Sequence, residues 1–382
     1  MKLHSIYSKK SFAKLAIALL PLMPLVAACD DDFLDAEPKT SVSEANAFDT
    51  PERILAQVNG LYATVKSGSL LGGRYQIYND IRAEEFINRT TNSVTGYSVW
   101  QHTVGADDSY VGNFWSTAYL AINRSNLFLK GLEDNAAIID PTDLQHYRGE
   151  AKFVRALSYF SIVQIFAKPY VLDNGASPGL PLRLQPETTS ANNGLARSSV
   201  AEVYAQILKD LNDAENDLPS SYSSADLNTT RAHKNTVIAL KTRVLLAMGR
   251  YNDVITEANK IVSATAPFVS STGVTHQLQE NIGNVFTTYT TSESIFSVPM
   301  ATTNSPGGQS AIGAYFNAGT REYYLNASAP GIYADPQWGQ DDARRTSFVI
   351  TNTGQKYFAK FSGVSPYPVS YTHLTLPTIC SV

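Results

Sequence analysis

Cysteine is almost missing from this chain. Only Cys29 and Cys380, one near each end, carry a thiol, so the body between them can build neither a disulfide framework nor a thiolate metal site. Histidine is nearly as scarce. His102, His146, His233 and His276 are the ones within the body, and no two are spaced as metal ligands on one helix, so neither a metal nor a cofactor is expected. Enzyme signatures are missing as well: there is no G-x-x-x-x-G-K-[ST] phosphate loop, no G-x-G-x-x-G and no H-E-x-x-H. The run Gly308-Gln309-Ser310-Ala311-Ile312-Gly313 comes near a nucleophile elbow, but its final glycine is one place late, and it reads as a polar loop. Glu84-Glu85 and Asp341-Asp342 are adjacent carboxylates, whereas glycosidase chemistry needs two facing each other at ~5–9 Å. An enzyme is therefore not expected.

What is present begins at the N-terminus. Lys2, Lys9, Lys10 and Lys14 precede an apolar stretch from Leu15 to Leu25, and Val26-Ala27-Ala28-Cys29 follows. This is the layout of a secretory leader with a small-residue cleavage site, and a cysteine directly after it resembles a bacterial lipobox. The stretch, interrupted by Pro21 and Pro24, is too short to span a bilayer. Cleavage before Cys29 and acylation of that residue would anchor the chain durably, each buried CH₂ contributing ~0.8 kcal/mol. Losing the leader removes four lysines and no acid, taking Lys+Arg from 30 to 26 against 34 Asp+Glu, a formal charge of −8. An acidic body without a basic stripe argues against nucleic acid and against polybasic membrane contact. Asp30, Asp31, Asp32, Asp35 and Glu37 crowd the new N-terminus as a solvated tether.

The middle of the chain reads as helices. Thr50-Pro51 supplies an N-cap and a first-turn proline, and Ile54, Leu55, Val58, Leu61, Tyr62 and Val65 share one apolar face. A second helix is predicted from Phe114 to Leu132. A third begins at Asp140-Pro141-Thr142, with Gln145 placed to close a capping box on Thr142. Its stretch from Phe153 to Phe166, apolar on nearly every side, marks a central buried helix, in which Arg155 reads as an ion-pair partner. Residues 174–193, rich in Pro, Gly, Ser and Thr, read as an irregular connection. Ser199 and Glu202 form another capping box ahead of Val203, Ile207, Leu211, Ala214 and Leu218, and Pro219 stops that helix. Helices at Asn235–Met248 and Asn252–Ala264, hinged at Gly249-Arg250-Tyr251, have the size pattern of a tetratricopeptide-like hairpin in which Tyr251 packs across the joint. No clean 34-residue period runs through the chain. Beyond Pro267, short β-prone runs such as Ser294–Pro299 and Ser347–Thr351 sit in long polar loops, which in a compact protein tend to be functional.

At the other end, Val369-Ser370-Tyr371-Thr372-His373-Leu374-Thr375-Leu376-Pro377-Thr378 resembles the translation of a transposon-end adapter used in sequencing libraries. Residues Val369–Val382 are accordingly read as foreign, and the authentic mature segment as about Cys29 to Pro368.

Several segments together resemble the SusD/RagB family of surface nutrient-binding lipoproteins in Bacteroidetes. They are the lipid cysteine with Cys29–Pro38 (CDDDFLDAEP), Asn79–Phe86 (NDIRAEEF), Trp115–Asn126 (WSTAYLAINRSN) and Gly149–Phe166 (GEAKFVRALSYFSIVQIF). Tyr204–Pro219, His233–Ala258, Ser292–Pro299 (SESIFSVP) and Asp341–Phe348 (DDARRTSF) follow in family order. The resemblance implies a mainly α fold of four tetratricopeptide-like hairpins with long irregular ligand-binding loops and minor β, incomplete here at the C-terminus. It divides the chain into a signal peptide at 1–28, a lipid-anchored tether at 29–49, a helical part at 50–266, a loop-rich part at 267–368 and the foreign tail at 369–382. It also implies residence at the outer membrane, exposed at the cell surface, and a SusC-like TonB-dependent transporter as partner, over which the lipoprotein closes as a lid.

The remaining signal is aromatic. Sugar rings lay their apolar faces on Trp and Tyr while polar side chains read the hydroxyls. Trp100, following Asn92 and Tyr97 in a polar loop, is the expected platform, with Tyr289, Tyr315, Tyr323 and Tyr324 from the late loops beside it. Trp115 falls on a helix and is expected in the core. The function expected is non-catalytic glycan binding with delivery to the transporter; the alternatives are a peptide ligand or a helical-repeat scaffold of the outer membrane.

Overall fold

The fold was analysed in a computed structural model, which describes residues 46–361 apart from 264, 271, 305, 308 and 318. The leader, Cys29 and the tail at 369–382 lie outside the described residues. The chain divides into Met1–Ala47 and Phe48–Val382, and the helices and strands named below all belong to the second unit.

Its body is helical. The long helices are α1 (Pro51–Val65), α4 (Ser109–Asp134), α5 (Pro141–Phe166), α6 (Val200–Asp217) and α8 (Lys234–Ala247), and shorter ones are α2 (Arg74–Ile81), α3 (Tyr97–Trp100), α7 (Ala225–Thr230) and α9 (Tyr251–Ala258). Two single-turn helices, α10 (Ile312–Phe316) and α11 (Ala343–Ser347), fall among the late loops. Successive helices pack on each other, α4 against α5, α5 against α6, α6 against α8 and α8 against α9, while α1 lies across α4 and α5. Among the described residues, strand is confined to two antiparallel pairs, β1 (Phe86–Asn88) with β2 (Tyr323–Leu325) and β3 (Val349–Asn352) with β4 (Gln355–Phe358). The hairpin β3–β4 turns at Thr353 and Gly354, both with positive φ, as a two-residue primed turn demands.

Local chemistry accounts for the helix ends. The Thr50 side chain accepts from the Arg53 N–H ahead of Pro51, and Ser199 and Glu202 close a reciprocal capping box on α6. Three helix ends differ from expectation, and α9 is the first, ending at Ala258 rather than Ala264. Helix α4 starts five residues before Phe114, because Asp108 accepts from the N–H groups of both Tyr110 and Val111. At α5 the cap is Asp140, which accepts from the Thr142 N–H, while Gln145 instead donates to the Asn216 carbonyl. The box on Thr142 is not formed.

The α5–α6 seam is set by charge. Arg148, Lys152 and Arg155 descend one face of α5 and meet Asp217, Asp213 and Asp210 ascending α6 at 2.8, 3.1 and 2.6 Å. Helix α5 is buried almost continuously from Phe153 to Val163, as its all-round apolar pattern predicts. The irregular connection after it is stapled down. Asn123 exchanges two hydrogen bonds of 2.8 Å with the backbone of Glu187, and Asn126 donates to the carbonyls of Arg183 and Gln185.

The hinge between α8 and α9 is where expectation fails. Gly249 takes φ +70°, the left-handed conformation that ends a helix most cheaply with glycine. Tyr251, however, does not pack across the joint. It is 59% exposed and Ile255 60%, because α9 rests only its other side on α8 and no described helix covers this one.

Candidate functional site

The loops expected to carry a ligand are assembled on β1 and β2, whose register sets Ile87 opposite Tyr324 and Asn88 opposite Tyr323. Glu322, just before β2, is buried. Its Oε2 accepts from the hydroxyl of Thr95 at 3.1 Å and from that of Thr90, pinning the loop that leads to α3. Arg89 Nε donates to the Arg321 carbonyl at 2.9 Å, adding a second tie. Within the loop, the Asn92 side chain caps its own turn, accepting from the Val94 N–H at 3.1 Å. Gly96 then takes φ +84°, where a side chain would also approach Ile81 Cδ1 to 3.0 Å.

Helix α3 presents Tyr97 and Trp100 one turn apart. Their rings stack at 5.9 Å with planes 21° apart, and both are half-buried. The indole N–H of Trp100 donates to the Phe86 carbonyl in β1 at 2.9 Å, which fixes the plane of the ring. Gln101 Nε2 donates to the Tyr97 hydroxyl at 2.7 Å. Two aromatic rings, Trp100 tied to a backbone carbonyl and Tyr97 to the Gln101 amide, form a stacking surface oriented in advance.

The other expected residues separate. Tyr324 is half-buried opposite Ile87 and sets its ring edge-on to Tyr357 at 6.4 Å, on the strand that pairs with the one holding the Trp100 indole. Tyr315 and Tyr323 are fully buried and offer no face to a ligand, which corrects the expectation for both. Their rings stack at 6.1 Å, and their hydroxyls are satisfied inside. The Tyr315 oxygen shares a hydrogen bond with Tyr110 at 2.8 Å and donates to the Gln309 carbonyl, and Tyr323 donates to the Thr95 carbonyl. Burial pushes both phenols above the ordinary tyrosine range. Tyr289 is committed to α7, donating to Asp226 Oδ1 at 2.7 Å. Trp115 packs on Tyr119 and Phe166 at 4.8 and 4.9 Å. Sequence reasoning missed Glu322, Gln101 and the Phe86 carbonyl, and no local signal could have found Glu322, whose partners lie 227 and 232 residues away. Among the described residues no three His, Cys, Asp or Glu gather as a metal centre requires, and no helix is long and apolar enough to cross a membrane.

Comparison with known proteins decides the family. A SusD-like family model, described as starch-binding and associating with the outer membrane, matches residues 32–246, more than half of the chain. The chain belongs to the SusD-like family. A crystal structure of a SusD superfamily protein from Bacteroides fragilis is 30% identical, with a TM-score of 0.73 over 83% of this chain and 70% of that one. SusD-like protein P2 of Formosa agariphila is 24% identical over 94% of this chain and 70% of its own length. SusD-like protein P25 of the same organism is 22% identical, and the match spans 46% of its length. The mainly α architecture is thus that of a SusD-like protein.

Proposed function

We propose that this SusD-like chain is a lipid-anchored protein of the cell surface that binds a glycan without transforming it and hands it to a SusC-like TonB-dependent transporter. The observation that carries the binding reading is the stacked, half-exposed Tyr97–Trp100 pair, held by Phe86 and Gln101, in a family described as starch-binding. Stacked aromatic faces attract the C–H faces of sugar rings, and a pair already fixed in orientation loses little entropy when a ligand arrives. Tyr324 on the neighbouring strand and Asn92 in the preceding loop are assigned to the rim.

The test uses maltooligosaccharides as probes in isothermal titration of the full chain. Tyr97→Ala is expected to weaken binding by more than about tenfold, as removal of an aromatic anchor does, with little change in the thermal melt. Trp100→Phe keeps the packing and gives up the indole hydrogen bond, and is expected to weaken binding less. No saccharide affinity in the parent chain, or affinity untouched by Tyr97→Ala, overturns the reading; affinity for peptides in its place moves it to the peptide-binding alternative. Delivery is tested separately by co-purification with the transporter from outer membranes, which must fail if the two never meet.

A further inference from the structure

A concave surface opens elsewhere, with neither Tyr97 nor Trp100 in its lining. A cleft of about 650 Å³ opens between the C-terminal end of α1, α7 and residues 297–299, 304, 306 and 310, lined among others by Tyr62, Lys66, Asp226, Ser297, Val298 and Pro299. That volume falls within the range of small-molecule sites. The walls are fixed. At Gly68 a side chain would come to 2.8 Å from Pro306 Cβ and 2.9 Å from Ser310 Cβ, so the turn after α1 is pressed against the opposite loop. Tyr62 cannot offer its hydroxyl, which donates to Glu150 at 2.6 Å and accepts from the Ala232 N–H at 2.9 Å. The ring is buried against Phe296 and closes the cleft floor with Val298, leaving Pro299 as the more open apolar wall.

The polar groups divide unequally. Asp226 is anchored by Tyr289 at 2.7 Å and brings a carboxylate, an acceptor for hydroxyl groups. Ser297 is fully buried, and its hydroxyl has no protein partner among the described residues, a group that an ordered water or a ligand hydroxyl would satisfy. Among the described residues, Lys66 at the end of α1 is the one cation in the lining and makes no ion pair. Burial alone lowers its basicity, so the ammonium has lost part of its water and gained no anion in return.

We propose that this cleft binds an anionic sugar, a single saccharide ring whose carboxylate or sulfate is paired by Lys66 and whose hydroxyls are read by Asp226, with a C–H face on Pro299. The ligand class rests on the glycan-binding reading above, but the site does not involve Trp100 or Tyr97. Titration of the full chain with D-glucose, D-glucuronate and D-glucose 6-sulfate separates the possibilities. One or both anionic sugars are expected to bind about tenfold or more tighter than glucose, the usual worth of a hydrogen bond to a charged group, and the two arms tell carboxylate from sulfate. Lys66→Met and Lys66→Gln should each abolish that preference, Lys66→Arg should keep it, and Tyr97→Ala should leave it intact. Equal affinity for all three sugars, binding of none of them, or a preference that survives both Lys66→Met and Lys66→Gln overturns the proposal. A preference lost in Tyr97→Ala but kept in the Lys66 variants would place the anion on the aromatic pair and overturn it equally.

Discussion

Arg155 offers the sharpest test of how the helical body is held together. Its guanidinium pairs with both oxygens of Asp210, at 2.8 Å from Nε and 2.6 Å from Nη2, and Nη1 donates to Asn126 Oδ1 at 2.8 Å. Three helices, α4, α5 and α6, thus meet on one side chain, and both charged groups are buried. Arg155→Met keeps most of the apolar stem but leaves the Asp210 carboxylate with one described donor, Gln206 Nε2 at 3.0 Å, and strips Asn126 Oδ1 of its partner. Breaking a buried pair from one side costs about 3–5 kcal/mol, because the surviving charge stays desolvated. Removing both charges is a different experiment. Arg155→Met combined with Asp210→Leu should recover about 2 kcal/mol or more, the residual deficit being the orphaned asparagine oxygen at about 1–3 kcal/mol. Urea unfolding followed by circular dichroism reads both values from the midpoint at constant slope. A single variant that costs under ~1 kcal/mol, or a double variant no more stable than the single, refutes the argument that an uncompensated charge is what makes Arg155 necessary.

His233 and His276 stack at 5.8 Å inside the body; burial, reinforced at His233 by its neighbour, holds them down to about 3 and about 4 against an ordinary 6.5. A depressed histidine adds stability that is whole above pH 6.5 and is lost as pH falls toward the folded values, so unfolding free energy should drop between about pH 6.5 and 5, and a flat profile there would show that the pair is not held neutral. At the N-terminus, Cys29→Ala is expected to release the protein from membranes on fractionation, and a variant that stays bound, together with an uncleaved leader in the unaltered protein by mass spectrometry, would show that no lipid is attached at that residue.

How much of this could be read beforehand depended on the range of the interactions. Helices α1 and α6 were legible because their caps, Thr50 and Ser199, act within three residues, and α5 because burial on all sides is written in its composition. The start of α4 was not, since Asp108 caps a stretch, Ser-Tyr-Val-Gly-Asn, of weak helical preference. Ser294–Pro299 shows the limit from another side. Its β-prone residues are almost all buried, yet they pair with no described strand; the Ser297 N–H goes instead to the Thr229 carbonyl at the end of α7. Tyrosines were the least legible. Nothing local distinguishes Tyr315, sealed against Tyr110 across 205 residues, from Tyr97, which keeps part of its surface. The cleft at Lys66 was invisible for the same reason, being bounded by segments more than 200 residues apart.

The indole hydrogen bond to Phe86 has a temporal consequence. Phe86 belongs to a strand whose only described pairing partner starts at Tyr323, and the loop before Trp100 is clamped by Glu322. A chain emerging from a ribosome or a secretion channel therefore carries its aromatic pair for more than 220 residues before the strand and clamp that orient it exist. Loop closure over that distance is slow compared with the packing of neighbouring helices, so the helical stack can be complete while the rings still swing freely. Competence to hold a ligand would then arrive last, and a molecule that already binds is one whose distant segments have found each other.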